Sequence, residues 1–126
     1  MQIFLVNDNA TGQQFLQLPL SIYANDANWI RPLDKDILEV FDKTKNKAFR
    51  FGKIDRWLLK DNTGKFIGRI AAFVYSKYRN KGDDVPVGGI GFFECTNNQE
   101  AANLLFDTAK NWLTENGMQA MDGPIN

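Results

Sequence analysis

The stretch Gly88–Asn126, GGIGFFECTNNQEAANLLFDTAKNWLTENGMQAMDGPIN, decides the fold. It opens as an apolar run interrupted by glycines at 88, 89 and 91. Glycine weakens a strand interior, so this pattern predicts a strand carrying a bulge or a close backbone approach. Asn97 and Glu100 have the spacing of a helix N-cap and third helical residue. Ala101, Leu105, Trp112 and Leu113, with Ala102, Phe106 and Ala109, then form a broad apolar stripe at helical period. Gly117 predicts the stop, and Met118–Met121 a return strand joined in parallel by a right-handed crossover. Such a βαβ unit sets a helix N-terminus at the end of a strand, where α/β proteins gather anionic ligands on free helix N–H groups.

Upstream, Arg56–Lys60 and Phe66–Lys77 flank Asp61-Asn62-Thr63-Gly64-Lys65, a turn-forming cluster in which Gly64 can take positive φ. In the second of these strands Phe66, Ile70, Ala72 and Val74 are expected on one face, and Ile67, Ala71, Phe73 and Tyr75 on the other. Apolar residues on both faces predict a central strand covered on both sides. Arg69 is the exception, expected as a structural ion-pair partner rather than a catalytic group. Nearer the start, Gln2–Val6 reads as a first strand, and Thr11 with Gln14 as a capping box. The helix so opened carries Phe15, Leu16 and Leu18 inward, and Pro19 is expected to kink or divide it before a second piece, Leu20–Ala24. Asn28–Leu33 is a loop, and Asp34–Phe41 a short helix with Ile37, Leu38 and Phe41 on one side.

Neither repeats nor a linker interrupt residues 1–126, which are expected to form a single domain; 44% hydrophobic residues, among them ten Phe and three Trp, supply its core. Lys+Arg and Asp+Glu both total 15, so there is no basic excess to displace phosphate counterions, and nucleic-acid binding is not expected. The clusters Lys43–Lys53 and Lys77–Lys81 read as solvated loops. The absence of histidine excludes Ser-His-Asp and Cys-His nucleophile systems and His-ligated metal. Asp83-Asp84 is a carboxylate pair without a ligand set, so no metal is expected. One cysteine excludes an intrachain disulfide. No apolar run approaches the ~20 residues that span a bilayer, and MQIFLVND lacks a basic leader; a cytoplasmic protein is expected.

The resulting class is α/β (α+β): a mixed, mostly antiparallel sheet with helices on both faces and a C-terminal βαβ unit. In its order, and in LPLSIYANDANWIRPL (Leu18–Leu33), GRIAAF (Gly68–Phe73), GFFECTNNQEAANLLFDTAKNWL (Gly91–Leu113) and GMQAMDGPIN (Gly117–Asn126), the chain resembles the N-terminal half of a group of bacterial GNAT-like (N-acetyltransferase superfamily) proteins with no assigned substrate. The resemblance implies a partial GNAT-like fold lacking the final strands and helix. It also implies an acyl-CoA, acetyl-CoA or another, whose pantetheine arm lies between the strands at 88–96 and 118–122. By position, Phe92, Phe93, Glu94 and Cys95 form the pantetheine wall, and Thr96, Asn97, Asn98 and Gln99 the pyrophosphate loop. It implies a small-molecule acceptor bearing an amine or similar nucleophile.

Two departures stand beside it. Cys95–Ala102 reads CTNNQEAA, without the glycines that let a diphosphate approach the backbone, and Glu100 adds a negative charge there. The tyrosine acid on the family's last helix has no counterpart. These departures support a second reading, a non-catalytic GNAT-like domain that binds a partner.

Glu94 is the candidate general base, with a solvent-facing residue or Arg69 partner as the plainer alternative. Cys95 reads as a buried small residue, because nothing nearby in sequence would generate its thiolate. Asp55 and Asp61 read as loop and turn residues, Trp57 and Trp112 as core, and Trp29 is left open. The sheet edge left by missing final strands predicts self-association or docking onto a second domain.

Overall fold

Asp61 closes the hairpin turn with its own side chain. Its Oδ1 accepts hydrogen bonds from the Thr63 and Lys65 amides (2.9 and 3.0 Å) and the Thr63 hydroxyl (2.6 Å). Gly64 takes φ +88°, as a turn glycine does. In the computed structural model, which describes residues 1–30, 32–46, 52–75, 87–118 and 120–125, this turn joins β2 (Gly52–Lys60) to β3 (Phe66–Tyr75). The other elements are β1 (Gln2–Leu5), α1 (Asn9–Ile22), α2 (Asp34–Val40), β4 (Val87–Cys95), α3 (Gln99–Glu115) and β5 (Ala120–Ile125). The sheet runs β1-β2-β3-β4-β5, antiparallel up to β4, with β5 added in parallel through α3. The expected class therefore holds. The loop Asn80–Pro86, Asp83-Asp84 and Lys77–Lys81 lie outside the described residues, as does part of Lys43–Lys53.

β3 is covered on both faces. One face packs Ile70, Ala72, Leu59 and Ile90 against Ala101, Leu105, Ala109 and Leu113 of α3. The opposite face packs Ala71 and Leu58 against Phe15 and Leu18 of α1, with Phe41 and Phe92 at the margin. The expected assignment of Phe66 and Ile67 is reversed: Ile67 joins the α3 cluster and Phe66 packs against the α1 cluster. The register explains this, since Leu59 pairs with Gly68 but Lys60 with Phe66, leaving Ile67 as an extra residue that inverts the alternation. Gly88 and Gly89 answer the close-approach expectation. A Cβ on Gly88 would meet the Leu113 side chain, and one on Gly89 would lie inside the Phe73 ring.

Several boundaries move. α1 starts at a capping box between Asp8 and Thr11 rather than at Thr11 and Gln14; Asp8 Oδ1 accepts from the Thr11 amide at 2.7 Å. α1 is not divided at Pro19. Proline lacks the N–H that would bond the carbonyl four residues back. That carbonyl, of Phe15, instead accepts from Arg69 Nη1 at 2.7 Å. Leu38 is 42% exposed while Ile37 is buried, so α2 turns one fewer residue inward than expected. β2 begins at Gly52, which places Asp55 in a strand, where its Oδ2 accepts from Trp112 Nε1 at 3.0 Å. α3 ends as expected: Gly117 has φ +82°, and the Met118 amide bonds the Leu113 carbonyl at 2.9 Å.

Candidate functional site

The site begins with an irregularity in β4. Ala71 pairs with Gly91 and Arg69 with Glu94, so two residues, Phe92 and Phe93, oppose Ile70 alone. Phe92 takes φ +53°, a strained conformation for a residue with a Cβ. The parallel ladder with β5 runs from Val87↔Ala120 to Gly91↔Ile125, so the strands at 88–96 and 118–122, expected to part around a pantetheine arm, are instead paired at Gly88↔Met121 and Gly89↔Asp122. Among the described residues, Phe92–Cys95 is therefore paired with β3 only.

The bulge divides the expected pantetheine wall. Phe92 packs against the α1 cluster, while Phe93 and Cys95 pack against the α3 cluster, Phe93 meeting Phe106 at 4.5 Å between centroids. Glu94 lies on the α1 side, where its Oε2 accepts from the Tyr23 hydroxyl at 2.5 Å. The four residues thus share a strand edge but not a face. Tyr23 is the C-cap of α1 and stacks on Trp29 at 5.1 Å and 14°. This resolves Trp29, which lines a cavity of about 30 Å3 with Leu16, Pro19, Ile37, Arg69 and Glu94. Such a space holds one water or one small polar head group.

Arg69 is 4% exposed and the only buried charged residue among those described. Its Nε donates to the Phe92 carbonyl at 3.0 Å, complementing the bond to Phe15. It acts on Glu94 through space, while the hydrogen bond of Glu94 goes to Tyr23. Burial pulls the guanidinium down to about 10, and the charge of Glu94 opposes that pull, so Arg69 stays protonated at neutral pH. The hydrogen bond to Glu94, then burial, raises the Tyr23 phenol above its ordinary range. Burial also raises the Cys95 thiol, with Thr96 only partly offsetting it, so Cys95 is not poised as a nucleophile.

At the expected pyrophosphate loop, Asn98 rather than Asn97 is the N-cap: its Oδ1 accepts from the Ala101 amide at 3.1 Å. One residue past the end of β4 the Thr96 amide still bonds the Ile67 carbonyl at 2.9 Å, which delays the turn into the helix by a residue. The Gln99 side chain turns to Asn103 at 2.9 Å. Helix geometry leaves the amides of Gln99 and Glu100 without an intrahelical acceptor, beside the Glu100 carboxylate. Among the described residues no group of His, Cys, Asp and Glu could hold a metal, and no helix is long and apolar enough to cross a membrane.

Sequence reasoning named Glu94 as the candidate base and gave Tyr23, within the expected helical piece Leu20–Ala24, no part in the site. The missed signal was Pro19, four residues after Phe15, which announces a carbonyl needing an outside donor. A second cleft, of about 420 Å3, opens beside Asp8, Phe41, Lys43 and Arg56 and contains none of the predicted site residues.

No family model matches the chain. It is 25% identical over 126 residues to the bacterial ceramide synthase of Caulobacter vibrioides, covering 100% of this chain and 33% of that protein. It is 29% identical over 113 residues to protein YghO of Escherichia coli, covering 89% and 28%. The chain thus spans about a third or less of the curated relatives it matches. Solved structures agree in fold at low identity. The aminoglycoside acetyltransferase AAC(6')-Iy, bound to a CoA bisubstrate analog, superposes with TM-score 0.68 at 16% identity, covering 99% of this chain and 79% of that one. AAC(6')-IG from Acinetobacter haemolyticus gives 0.68 at 17%, covering 100% and 81%. A ribosomal-protein-alanine N-acetyltransferase from Brucella melitensis gives 0.60 at 15%, covering 95% and 77%. The fold is GNAT-like.

Proposed function

We propose that the chain is part of an N-acyltransferase-like domain that takes an acyl-CoA along β4 and an amine on the α1 side. The observation that carries this reading is the β4 bulge, which sets Phe92 and Phe93 against Ile70 alone and brings Glu94 to the Tyr23 hydroxyl, just before the N-terminus of α3. Support comes from the fold shared with acetyltransferases solved with CoA or a CoA analog. An acyl-CoA supplies an activated thioester carbonyl. The bulged backbone of Phe92, Phe93 and Cys95 faces its amide-bearing arm, and the CoA thiolate leaves as the amide forms. Thr96, Asn97, Asn98 and Gln99 frame the helix N-terminus for its phosphates. Glu94 takes the proton that an attacking amine must lose. A ceramide is itself an N-acyl amide, so a nitrogen acceptor agrees with the name of the Caulobacter relative.

A second reading, a non-catalytic domain that uses the same strand to dock a partner, a second domain or a second copy, is favoured by one observation. The first turn of α3 carries Glu100 and no glycine, so its amides are shielded from a diphosphate. Calorimetric titration with acetyl-CoA and CoA separates the two. The acyltransferase reading expects saturable heat, weakened by Asn97→Trp and strengthened severalfold by Glu100→Gln. No heat at millimolar ligand rejects it and leaves the docking reading.

A further inference from the structure

Two backbone carbonyls in this fold lack their usual donors. The Phe15 carbonyl is released because Pro19 has no N–H, and the Phe92 carbonyl sits in the β4 bulge at positive φ. Both accept from one guanidinium, through Nη1 at 2.7 Å and Nε at 3.0 Å. An unpaired buried carbonyl is destabilising, and a charged donor is the strongest remedy available. A lysine ammonium has three donors on a point charge but not this spread fork. The guanidinium also lies 4.8 Å from the Phe15 ring centroid and 5.9 Å from that of Phe92. Arg69 therefore ties the middle of α1 to the bulge, and Tyr23, at the end of α1, reaches Glu94, two residues past Phe92.

We infer that Arg69 is a positioning residue for Glu94, and that Pro19 is its matched partner: the proline frees a helix carbonyl so that a buried arginine can anchor α1 to β4 and hold Tyr23 on the carboxylate. The inference rests on the reading of Glu94 as the proton acceptor for its functional meaning, but its geometry does not depend on any ligand. The same sheet pairing without this tie leaves Glu94 with a free rotamer, because no other side chain hydrogen-bonds it among the described residues.

The test reads Tyr23 ionisation in the intact chain, by ring-carbon NMR shift assigned with Tyr23→Phe. The charged and titratable groups acting on Tyr23 are Glu94, Arg69 and Asp26, and Asp34 lines the adjoining cavity. The hydrogen bond to Glu94 raises the phenol midpoint. If Arg69 positions Glu94, the midpoint falls towards the ordinary tyrosine value in both Arg69→Met and Arg69→Lys. A rise, or no change, in either variant overturns the inference.

Stability supplies the second arm. Pro19→Ala restores an N–H to the Phe15 carbonyl, so the urea midpoint lost on Arg69→Met or Arg69→Lys is smaller in the Pro19→Ala background than in the native one. Equal losses in both backgrounds overturn the matched pair. If Arg69→Met does not fold alone, recovery of folding in Pro19→Ala/Arg69→Met supports the pair, and the Arg69→Lys series decides the remainder. Failure of the CoA titration would remove the acyl-transfer reading while leaving both results standing.

Discussion

The two faces of the sheet are built on different principles. On the α3 face, buried side chains are apolar, the helix follows a regular stripe, and close approach is obtained by glycine: a Cβ on Gly68 would lie 2.6 Å from Leu105 Cδ1. On the α1 face, the helix contains a proline, the strand beneath it contains a bulge, and the core contains an arginine. Arg56 adds to this pattern, lying 4.2 Å from the Phe41 centroid and 5.3 Å from that of Phe15. The α3 face absorbs its one extra residue, Ile67, into an apolar cluster, while the α1 face gathers a proline, a residue at positive φ and a buried arginine around Glu94. Departures from local rules concentrate on the α1 face.

The sharpest way to break this division is Leu105→Ala. Leu105 is fully buried in the α3 cluster. Its truncation is expected to destabilise by about 3–4 kcal/mol, as a cavity opens that the rigid sheet cannot fill. Urea denaturation measures the loss, and the Tyr23 midpoint in the folded fraction is expected to stay unchanged. Movement of that midpoint would show that the faces are coupled, and the comparison would fail.

A smaller effect tests the cap. Asn98→Ala is expected to cost about 1 kcal/mol by removing the acceptor for the Ala101 amide, while Asn97→Ala is expected to be close to neutral. Equal losses in thermal denaturation would return the cap to the position that the sequence spacing suggests.

The smallest effect concerns pH. Hydrogen bonds from Thr63 and Lys65 hold the Asp61 carboxyl below its ordinary value. A carboxyl depressed in the folded state stabilises above its unfolded value, and that contribution is lost as pH falls through the folded one. Stability should therefore decline below about pH 4, with Asp8 and Asp42 adding to the same limb. Asp61→Asn is expected to flatten the limb slightly, because the amide keeps an acceptor but no longer titrates. An unchanged slope in urea midpoint against pH would show that the hairpin turn makes no contribution to it.

Periodicity and turn chemistry carried most of the fold. The α3 stripe, the Gly117 stop, the Asp61–Lys65 turn and the crossover were legible because each depends on residues a few positions apart. Glu94 was singled out by resemblance. Its surroundings were not, since Tyr23 and Glu94 are 71 positions apart and Arg69 and Phe15 54 apart. No local pattern reports such pairings. The swap of Phe66 and Ile67 escaped for a related reason: an extra residue in β3 is defined by the register of β2 and leaves no mark in β3 itself.

The β4 bulge has a consequence for the timing of solvent exchange. On either side of it β4 is paired with β3, and ladder amides are released only when the domain opens broadly. Phe92 and Phe93 oppose Ile70 alone, and the extra residue of a bulge is left outside the ladder. A strand that otherwise keeps its protons for as long as the fold survives thereby gives them up early at one point, the step before Glu94.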